Sequence, residues 1–281
     1  MFNRDSCVAC HSDPAAGGGS VIVETRFGTI TNGAFNPLTA LGGPLLQERG
    51  IRPVGTCNIV GEVVPPQATI VIQRRTTPTF GSGLVESVPD ETLMEIAAFQ
   101  TRVTPETAGR PCPNVNLVSG QKVVGRFGWK CQDPNMLQFA GDAMNNEAGI
   151  TNPLFPKENC PQGDCSLLAC DPVAEPNDDG TFMAALADFM RLLAPPPRGA
   201  ITPEVRVGEA VFGRIGCAAC HLPTLRTGPN PIAALDRVDF HPYSDFLLHD
   251  MGSLNDGFPQ GEASGQEMRT APLWGRRMIA T

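Results

Sequence analysis

Residues 6–14 read SCVACHSDP and residues 216–223 read GCAACHLP. Each stretch contains two cysteines three positions apart, followed directly by a histidine. In this C-x-x-C-H pattern each thiol can bond one vinyl group of a haem, and the histidine is placed to bind the iron. The first set comprises Cys7, Cys10 and His11, and the second comprises Cys217, Cys220 and His221. The sequence therefore predicts two covalently bound haem c groups, with His11 and His221 as iron ligands.

A structural zinc site is the alternative interpretation of these four cysteines, because four thiolates can bind Zn²⁺ in a tetrahedral site. That interpretation leaves the histidine after each pair unexplained, although the chain has only four histidines. Haem attachment accounts for both of these histidines and is the preferred interpretation.

The composition excludes several classes of protein. The formal net charge is −8, and without a cluster of Lys and Arg the chain is not expected to bind nucleic acid. No run of about 18 apolar residues exists, so no membrane span is predicted. Haem c is attached outside the cytoplasm, which predicts a periplasmic or otherwise exported protein. No export signal is visible, so the sequence is expected either to follow a cleaved signal or to begin inside its gene.

Six further cysteines are disulfide candidates in an oxidising compartment, with fifteen full pairings open to them. They are Cys57, Cys112, Cys131, Cys160, Cys165 and Cys170. The cluster ENCPQGDCSLLAC at residues 158–170 is predicted to form at least one local bridge. No basic residue flanks these cysteines closely enough to predict a reactive thiol of lowered pKa.

Local patterns predict a mixture of strands and helices. Two runs rich in β-branched residues, at 20–30 and 68–77, predict strands or a hairpin. One helix is predicted from Pro134. Another is predicted to begin with Thr202 as N-cap and Pro203 in its first position, and it runs into the second C-x-x-C-H stretch.

Two more helices are predicted with a defined apolar face. The first covers residues 88–100 with Asp90 as N-cap, and its face comprises Leu93, Ile96, Ala97 and Phe99. The second covers residues 180–194 with apolar spacing typical of a helix, and its face comprises Phe182, Leu186, Phe189 and Leu193. The PPPRG segment that ends this helix is the predicted domain boundary. The predicted fold class is mainly α: two cytochrome c-like haem domains, at residues 1–197 and 198–281, with long loops and small β insertions.

Whether the first haem can be catalytic depends on whether a side chain occupies the sixth position of its iron. No histidine lies between His11 and His221, so the first haem has no second histidine of its own domain. Candidate sixth ligands there are Met94, Met136, Met144, Met183 and Met190; candidates for the second haem are His241, His249, Met251, Met268 and Met278. If none binds the first iron, its sixth position is open. An open iron binds peroxide or oxygen, whereas a closed one only passes electrons.

Several longer segments resemble the di-haem oxidoreductase family, which lies within the di-haem cytochrome c peroxidase superfamily and is described as peroxidases or thiol oxidoreductases. They are GRFGWK, GITNPLFPKENC, HPYSDFLLHDMG and RTAPLWG. Together with the two C-x-x-C-H stretches they extend from residue 6 to residue 275. Members of the family continue past RTAPLWG into a His-Asp-Gly segment and a helix with the distal ligand of the second haem. The resemblance therefore implies a sequence that lacks both ends of the full protein.

The resemblance also implies a function. Electrons would enter at the second haem from a small redox protein or other donor and reduce peroxide or another small oxidant at the first haem. By the same resemblance Trp129 relays electrons between the haems, Gln138 lines the distal pocket of the first haem, and Glu147 is its acid–base group. The alternative function is a di-haem electron carrier without catalytic turnover.

Overall fold

The computed structural model describes residues 1–51 and 57–275. Within these ranges it contains five α-helices: α1 (Ser82–Glu86), α2 (Asp90–Val103), α3 (Met136–Ala148), α4 (Thr181–Leu192) and α5 (Pro203–Arg214). It also contains nine strands: β1 (Val23–Thr31), β2 (Ala34–Asn36), β3 (Ile70–Arg75), β4 (Cys112–Val115), β5 (Lys122–Gly125), β6 (Leu225–Arg226), β7 (Asp239–Phe240), β8 (Leu248–Asp250) and β9 (Glu267–Arg269). None of the helices in these ranges is long and apolar enough to cross a membrane.

The predicted fold class was wrong. Helices, including the short 3-10 turns, account for 31% of the described residues, and strands with isolated β-bridges account for 17%, arranged in several small sheets. The fold is therefore not a mainly α pair of cytochrome c-like domains. The physical reason lies partly in composition, because 30 glycines and 27 prolines interrupt helices and favour turns and short strands.

The chain forms two compact units, each built from separate stretches of sequence. Among the described residues, the first unit contains Met1–Thr79 and Leu137–Phe189, and the second contains Phe80–Met136 and residues 190–275. The first C-x-x-C-H motif belongs to the first unit and the second motif to the second. The division into domains at residue 197 stays a prediction.

The first unit contains a three-stranded antiparallel sheet in the order β2-β1-β3. Its two long strands confirm the strand predictions at residues 20–30 and 68–77, with Val23 opposite Arg75 and Gly28 opposite Ile70. Phe27 of β1 is fully buried. The same unit contains most of α3 and α4.

Helices α3 and α4 approach closely at a glycine. A Cβ atom on Gly141 of α3 would lie 3.0 Å from the sulfur of Met183 in α4, so the absence of a side chain permits this contact. The buried residues of α4 are Met183, Ala187 and Met190. The predicted face was wrong here, because Phe182 and Phe189 are 54% and 49% exposed.

In helix α2, which belongs to the second unit, the buried face also differs from the predicted one. Leu93 and Ala97 are buried as predicted, whereas Phe99 is 55% exposed. Asp90 is the first helical residue rather than the N-cap, which is Pro89. The Asp90 carboxylate instead forms an ion pair with the buried guanidinium of Arg126 and accepts a hydrogen bond from the backbone of Val124 in β5.

Helix α5 begins as the sequence predicts. The hydroxyl oxygen of Thr202 accepts a hydrogen bond from the backbone N–H of Val205, and Pro203 occupies the first turn. The helix ends two residues before the turn at Cys217–Ala219, so α5 leads directly into the second motif.

Two disulfides connect parts of the first unit. Cys160–Cys165 is the local bridge predicted for the cysteine cluster, and Cys57–Cys170 closes a much longer loop. Cys112 and Cys131, in the second unit, are buried free thiols. Burial raises the pKa of both thiols, to about 11 at Cys112, which agrees with the prediction that they are not reactive thiolates.

Candidate functional site: two haem-attachment turns and a buried carboxyl

The first motif forms a short 3-10 turn at Cys7–Ala9, and the following histidine is anchored by backbone. Nδ1 of His11 lies 3.2 Å from the carbonyl oxygen of Gly18, which requires that Nδ1 carries the hydrogen. The loop closes on itself at this glycine, because a Cβ atom on Gly18 would overlap the carbonyl oxygen of Asp13. The glycine run after the motif therefore positions the imidazole.

The second motif repeats this arrangement with different partners. After the turn at Cys217–Ala219, Nδ1 of His221 lies 2.8 Å from the carbonyl oxygen of Tyr243. The ring of Phe212, from α5, meets the imidazole edge-on at 6.3 Å between centroids. Tyr243 has a left-handed backbone at φ 52°, a conformation that is unusual for a side chain of this size. This conformation turns its carbonyl toward His221.

Both turns fit the attachment of haem. In each histidine Nδ1 donates to a backbone carbonyl, the usual arrangement of a histidine that binds a metal through Nε2, and the imidazole of His11 also has the backbone of Thr77 as a hydrogen-bond partner. The four cysteines of the two turns are free thiols, whereas four other cysteines of the chain are paired in disulfides. The turns thus retain the thiols that thioether bonds to haem vinyl groups would require.

The structure offers less support for the zinc interpretation. The two cysteine pairs belong to different compact units. Among the described residues, the side chains close enough together to hold a metal ion are Glu158, Asp171 and Glu175, and this group contains no cysteine.

An apolar cleft of about 340 Å³ borders the second turn. Ala218 and Ala219 line one side, and Ile96, Phe99 and Val103 of α2 line another. This location explains why Phe99 is exposed rather than packed in the core. An apolar wall beside an attachment turn suits the hydrophobic face of a macrocycle.

A cluster of charged side chains surrounds Glu147 in the first unit. Glu147 lies in the last turn of α3, and its Oε2 accepts a hydrogen bond of 2.8 Å from the side-chain amide of Asn3. On β1, Arg26 and Glu24 form an ion pair with a distance of 2.7 Å. Asp142, also on α3, interacts electrostatically with Arg26 and Glu147. Three carboxyl groups thus lie around one guanidinium.

Burial, together with the charges of Glu24 and Asp142, raises the pKa of Glu147 to about 7, against the hydrogen bond from Asn3 and the charge of Arg26, which lower it. A carboxyl of this kind is half protonated near neutral pH. It can therefore accept and return a proton under physiological conditions.

A family model described as "Di-haem oxidoreductase, putative peroxidase" matches residues 66–281, which is more than half of the chain. The chain belongs to the di-haem oxidoreductase family. No curated protein and no solved structure matches it. Membership in this family confirms the resemblance predicted from the sequence segments, and the family name agrees with haem as the cofactor.

The other residues that the di-haem oxidoreductase resemblance assigned to the site lie as follows. Gln138 is buried on α3 in the first unit. It is nine residues before Glu147, so the two side chains leave opposite faces of the helix at 3.6 residues per turn. Trp129 is half-buried in the second unit, and its carbonyl oxygen accepts a hydrogen bond from the backbone of Arg269. Their roles stay predictions.

The candidate sixth ligands differ in accessibility. For the first haem, Met144 and Met183 are buried in the same unit as His11, whereas Met94 is exposed. For the second haem, His241 is exposed and bonds Thr224 through Nδ1, Met251 is 38% exposed, and Met268 lies in β9. Met278 lies outside the described residues.

His249 makes contacts that sequence reasoning missed. Both of its ring nitrogens are engaged: Nε2 lies 2.9 Å from Oδ2 of Asp245, and Nδ1 lies 2.9 Å from the carbonyl oxygen of Thr107. Burial lowers its pKa, but the hydrogen bonds and charges of Asp245 and Cys220 together outweigh burial and raise the pKa to about 10. A histidine held in this way is poorly placed to bind iron. The spacing of Asp245 and His249 in HPYSDFLLHDMG could have indicated that these two side chains meet, but no sequence pattern linked them to Thr107.

Proposed function

We propose that the chain is an exported di-haem c-type oxidoreductase of the peroxidase type. Thioethers form at Cys7, Cys10, Cys217 and Cys220, and His11 and His221 bind the two irons through Nε2. Support for this assignment comes from two attachment turns that hold Nδ1 of each histidine and leave both thiols free. The two disulfides support an oxidising compartment such as the periplasm.

Bound haem supplies electron storage and, at the first site, a coordination position for a small oxidant such as peroxide. We assign Glu147 as the group that takes a proton from the oxidant and returns it to the leaving oxygen. Its raised pKa supports this role, because a proton-transfer group works best when its pKa is near the operating pH. The family resemblance implies that Trp129 relays electrons. It also implies that Gln138 lines the oxidant pocket, but Gln138 leaves α3 on the face opposite Glu147, so the geometry supports only Glu147 there. A small redox protein or another donor delivers electrons to the second haem.

Haem content tests the cofactor assignment directly. Pyridine haemochrome analysis of the exported protein is expected to give about two haem c per chain, because each C-x-x-C-H motif attaches one. Cys7→Ala together with Cys10→Ala is expected to leave one. Haem that dissolves completely in acidic acetone, or a single haem in the parent protein, contradicts the assignment.

The spin state of the ferric protein separates an enzyme from an electron carrier. We expect the first haem to give a high-spin electron paramagnetic resonance signal, and the fully reduced protein to be oxidised by peroxide. A carrier without turnover has two low-spin irons and a reduced form that peroxide does not oxidise at a catalytic rate. That outcome contradicts the peroxidase proposal.

A further inference from the structure

Cys220, the second thiol of the second motif, lies against a buried histidine. Its Sγ is 3.5 Å from Nδ1 of His249, which is within the range of a hydrogen bond to sulfur. His249 is only 5% exposed. In the described part of the chain, the sulfurs of Cys7, Cys10 and Cys217 make no hydrogen bond to a side chain, so Cys220 is distinguished from the other three motif thiols.

The imidazole of His249 presents a hydrogen to this sulfur. One ring nitrogen faces the carboxylate of Asp245 and the other faces the carbonyl oxygen of Thr107. A carboxylate and a carbonyl only accept hydrogen bonds, so both nitrogens carry hydrogens and the ring is positively charged. The N–H at Nδ1 is shared between the Thr107 carbonyl and the Cys220 sulfur.

A buried network fixes both the imidazole and the turn. The side-chain amide of Gln100 donates to Oδ2 of Asp245 (2.7 Å) and to the carbonyl oxygen of Ala219 (2.8 Å). The backbone N–H of Asp245 donates to the carbonyl oxygen of Cys220. Gln100 and Asp245 are 3% and 0% exposed. The carboxylate that orients His249 is thus connected through Gln100 to the turn that carries the thiol.

We propose that His249 is a catalytic residue for the attachment of haem to Cys220, with Asp245 and Gln100 as positioning residues. This inference rests on the proposed attachment of haem at the second motif. In the step, sulfur forms a bond to one vinyl carbon and the carbon–carbon π bond breaks. The other vinyl carbon takes a proton, which balances the proton released by the thiol, and no electrons are gained or lost. The Nδ1–H of His249 stabilises the negative charge that develops on sulfur.

A vinyl probe tests the reactivity of the thiol without haem. The full chain, isolated without haem and with its four motif thiols reduced, is treated with 4-vinylpyridine, and labelled peptides are counted by mass spectrometry over time. Cys220 is expected to react faster than Cys217. In His249→Gln the labelling of Cys220 is expected to slow about 100-fold, the usual effect of removing one donor from a developing charge, while Cys7 and Cys10 keep their rates.

Two further variants make the result independent of folding defects. In Gly109→Ala the added Cβ lies 2.5 Å from Nε2 and 2.7 Å from Cε1 of His249, so the ring moves while its chemistry is unchanged. Slower labelling of Cys220 is expected here as well. The matched control is His241→Gln, because His241 is an exposed histidine of the same segment, and it is expected to leave the rate unchanged.

Loading with ferrous haem under anaerobic conditions then distinguishes the two proposals. The masses of the peptides that carry haem show whether Cys10 and Cys220 of the same chain have formed thioethers. Cys10, in the first motif, is the reference. If the parent protein exported by cells carries no thioether at either motif, the proposed function fails. Suppose that the parent forms both thioethers. If His249→Gln and Gly109→Ala then form the Cys220 thioether at the parental rate, the role of His249 is overturned.

Discussion

Glu147→Gln is expected to slow the reaction of the haem-loaded protein with peroxide about 100-fold or more, the usual size of an acid–base contribution. Glutamine has nearly the size of glutamate and can still accept the hydrogen bond from the amide of Asn3. It cannot, however, take a proton from peroxide. Haem content and the ferric spectrum are expected to match the parent, which excludes loss of cofactor as the cause. Stopped-flow mixing of the protein with peroxide measures the rate.

The pH dependence gives a sharper test of the same residue. The deprotonated carboxylate is the active base, and burial raises its pKa to about 7. The parental rate is therefore expected to rise about tenfold per pH unit below this value and to level off above it. Glu147→Gln is expected to remove this inflection and leave a low, flat profile.

Two neighbouring variants are expected to move the inflection in opposite directions. Asn3→Ala removes a hydrogen bond that lowers the pKa of Glu147, so the inflection moves to higher pH. Asp142→Asn removes a charge that raises this pKa, so the inflection moves to lower pH with the plateau rate retained.

If Glu147→Gln reacts with peroxide at the parental rate and with the parental pH profile, Glu147 is not the acid–base group.

The sequence was most informative where the determining interactions are local. The N-cap at Thr202 forms within one helical turn, the Cys160–Cys165 bridge spans a short segment, and both long strands of the first sheet carry β-branched runs. Apolar periodicity identified α2 and α4 but not their buried faces. In α4 the row formed by Met183, Ala187 and Met190 has the same period as the predicted row, and the contact of Met183 with Gly141 of α3 shows that this row faces α3.

The candidate site was predictable only in part, because its parts are distant along the chain. The two C-x-x-C-H turns are contiguous in sequence, so the pattern alone located them, and haem attachment at these turns stays a prediction. Asn3 and Glu147 are separated by 144 positions, and no local pattern links them. Phe99 was assigned to the core because periodicity cannot distinguish a side chain that packs inside a protein from one that lines a cleft.

Removal of the Cys57–Cys170 disulfide is expected to reduce the free energy of unfolding by about 5 kcal/mol, since a crosslink restricts the unfolded chain more strongly as its loop grows. This bridge joins residues 113 positions apart. The Cys160–Cys165 bridge spans 5 positions, and its removal is expected to cost about 2 kcal/mol on the same argument. The two bridges lie in the same compact unit and share one segment, so they form a matched pair.

The comparison uses Cys57→Ser with Cys170→Ser against Cys160→Ser with Cys165→Ser, in the haem-loaded protein, so that no unpaired thiol remains. Urea unfolding followed by far-ultraviolet circular dichroism measures each loss. The larger loss is comparable to the whole stability of many domains, about 5–15 kcal/mol, so the first variant is expected to be partly unfolded without urea at 37 °C. Equal losses in the two variants contradict the loop-length argument. A larger loss on removal of the short bridge requires instead that this bridge holds the native fold around the cysteine cluster.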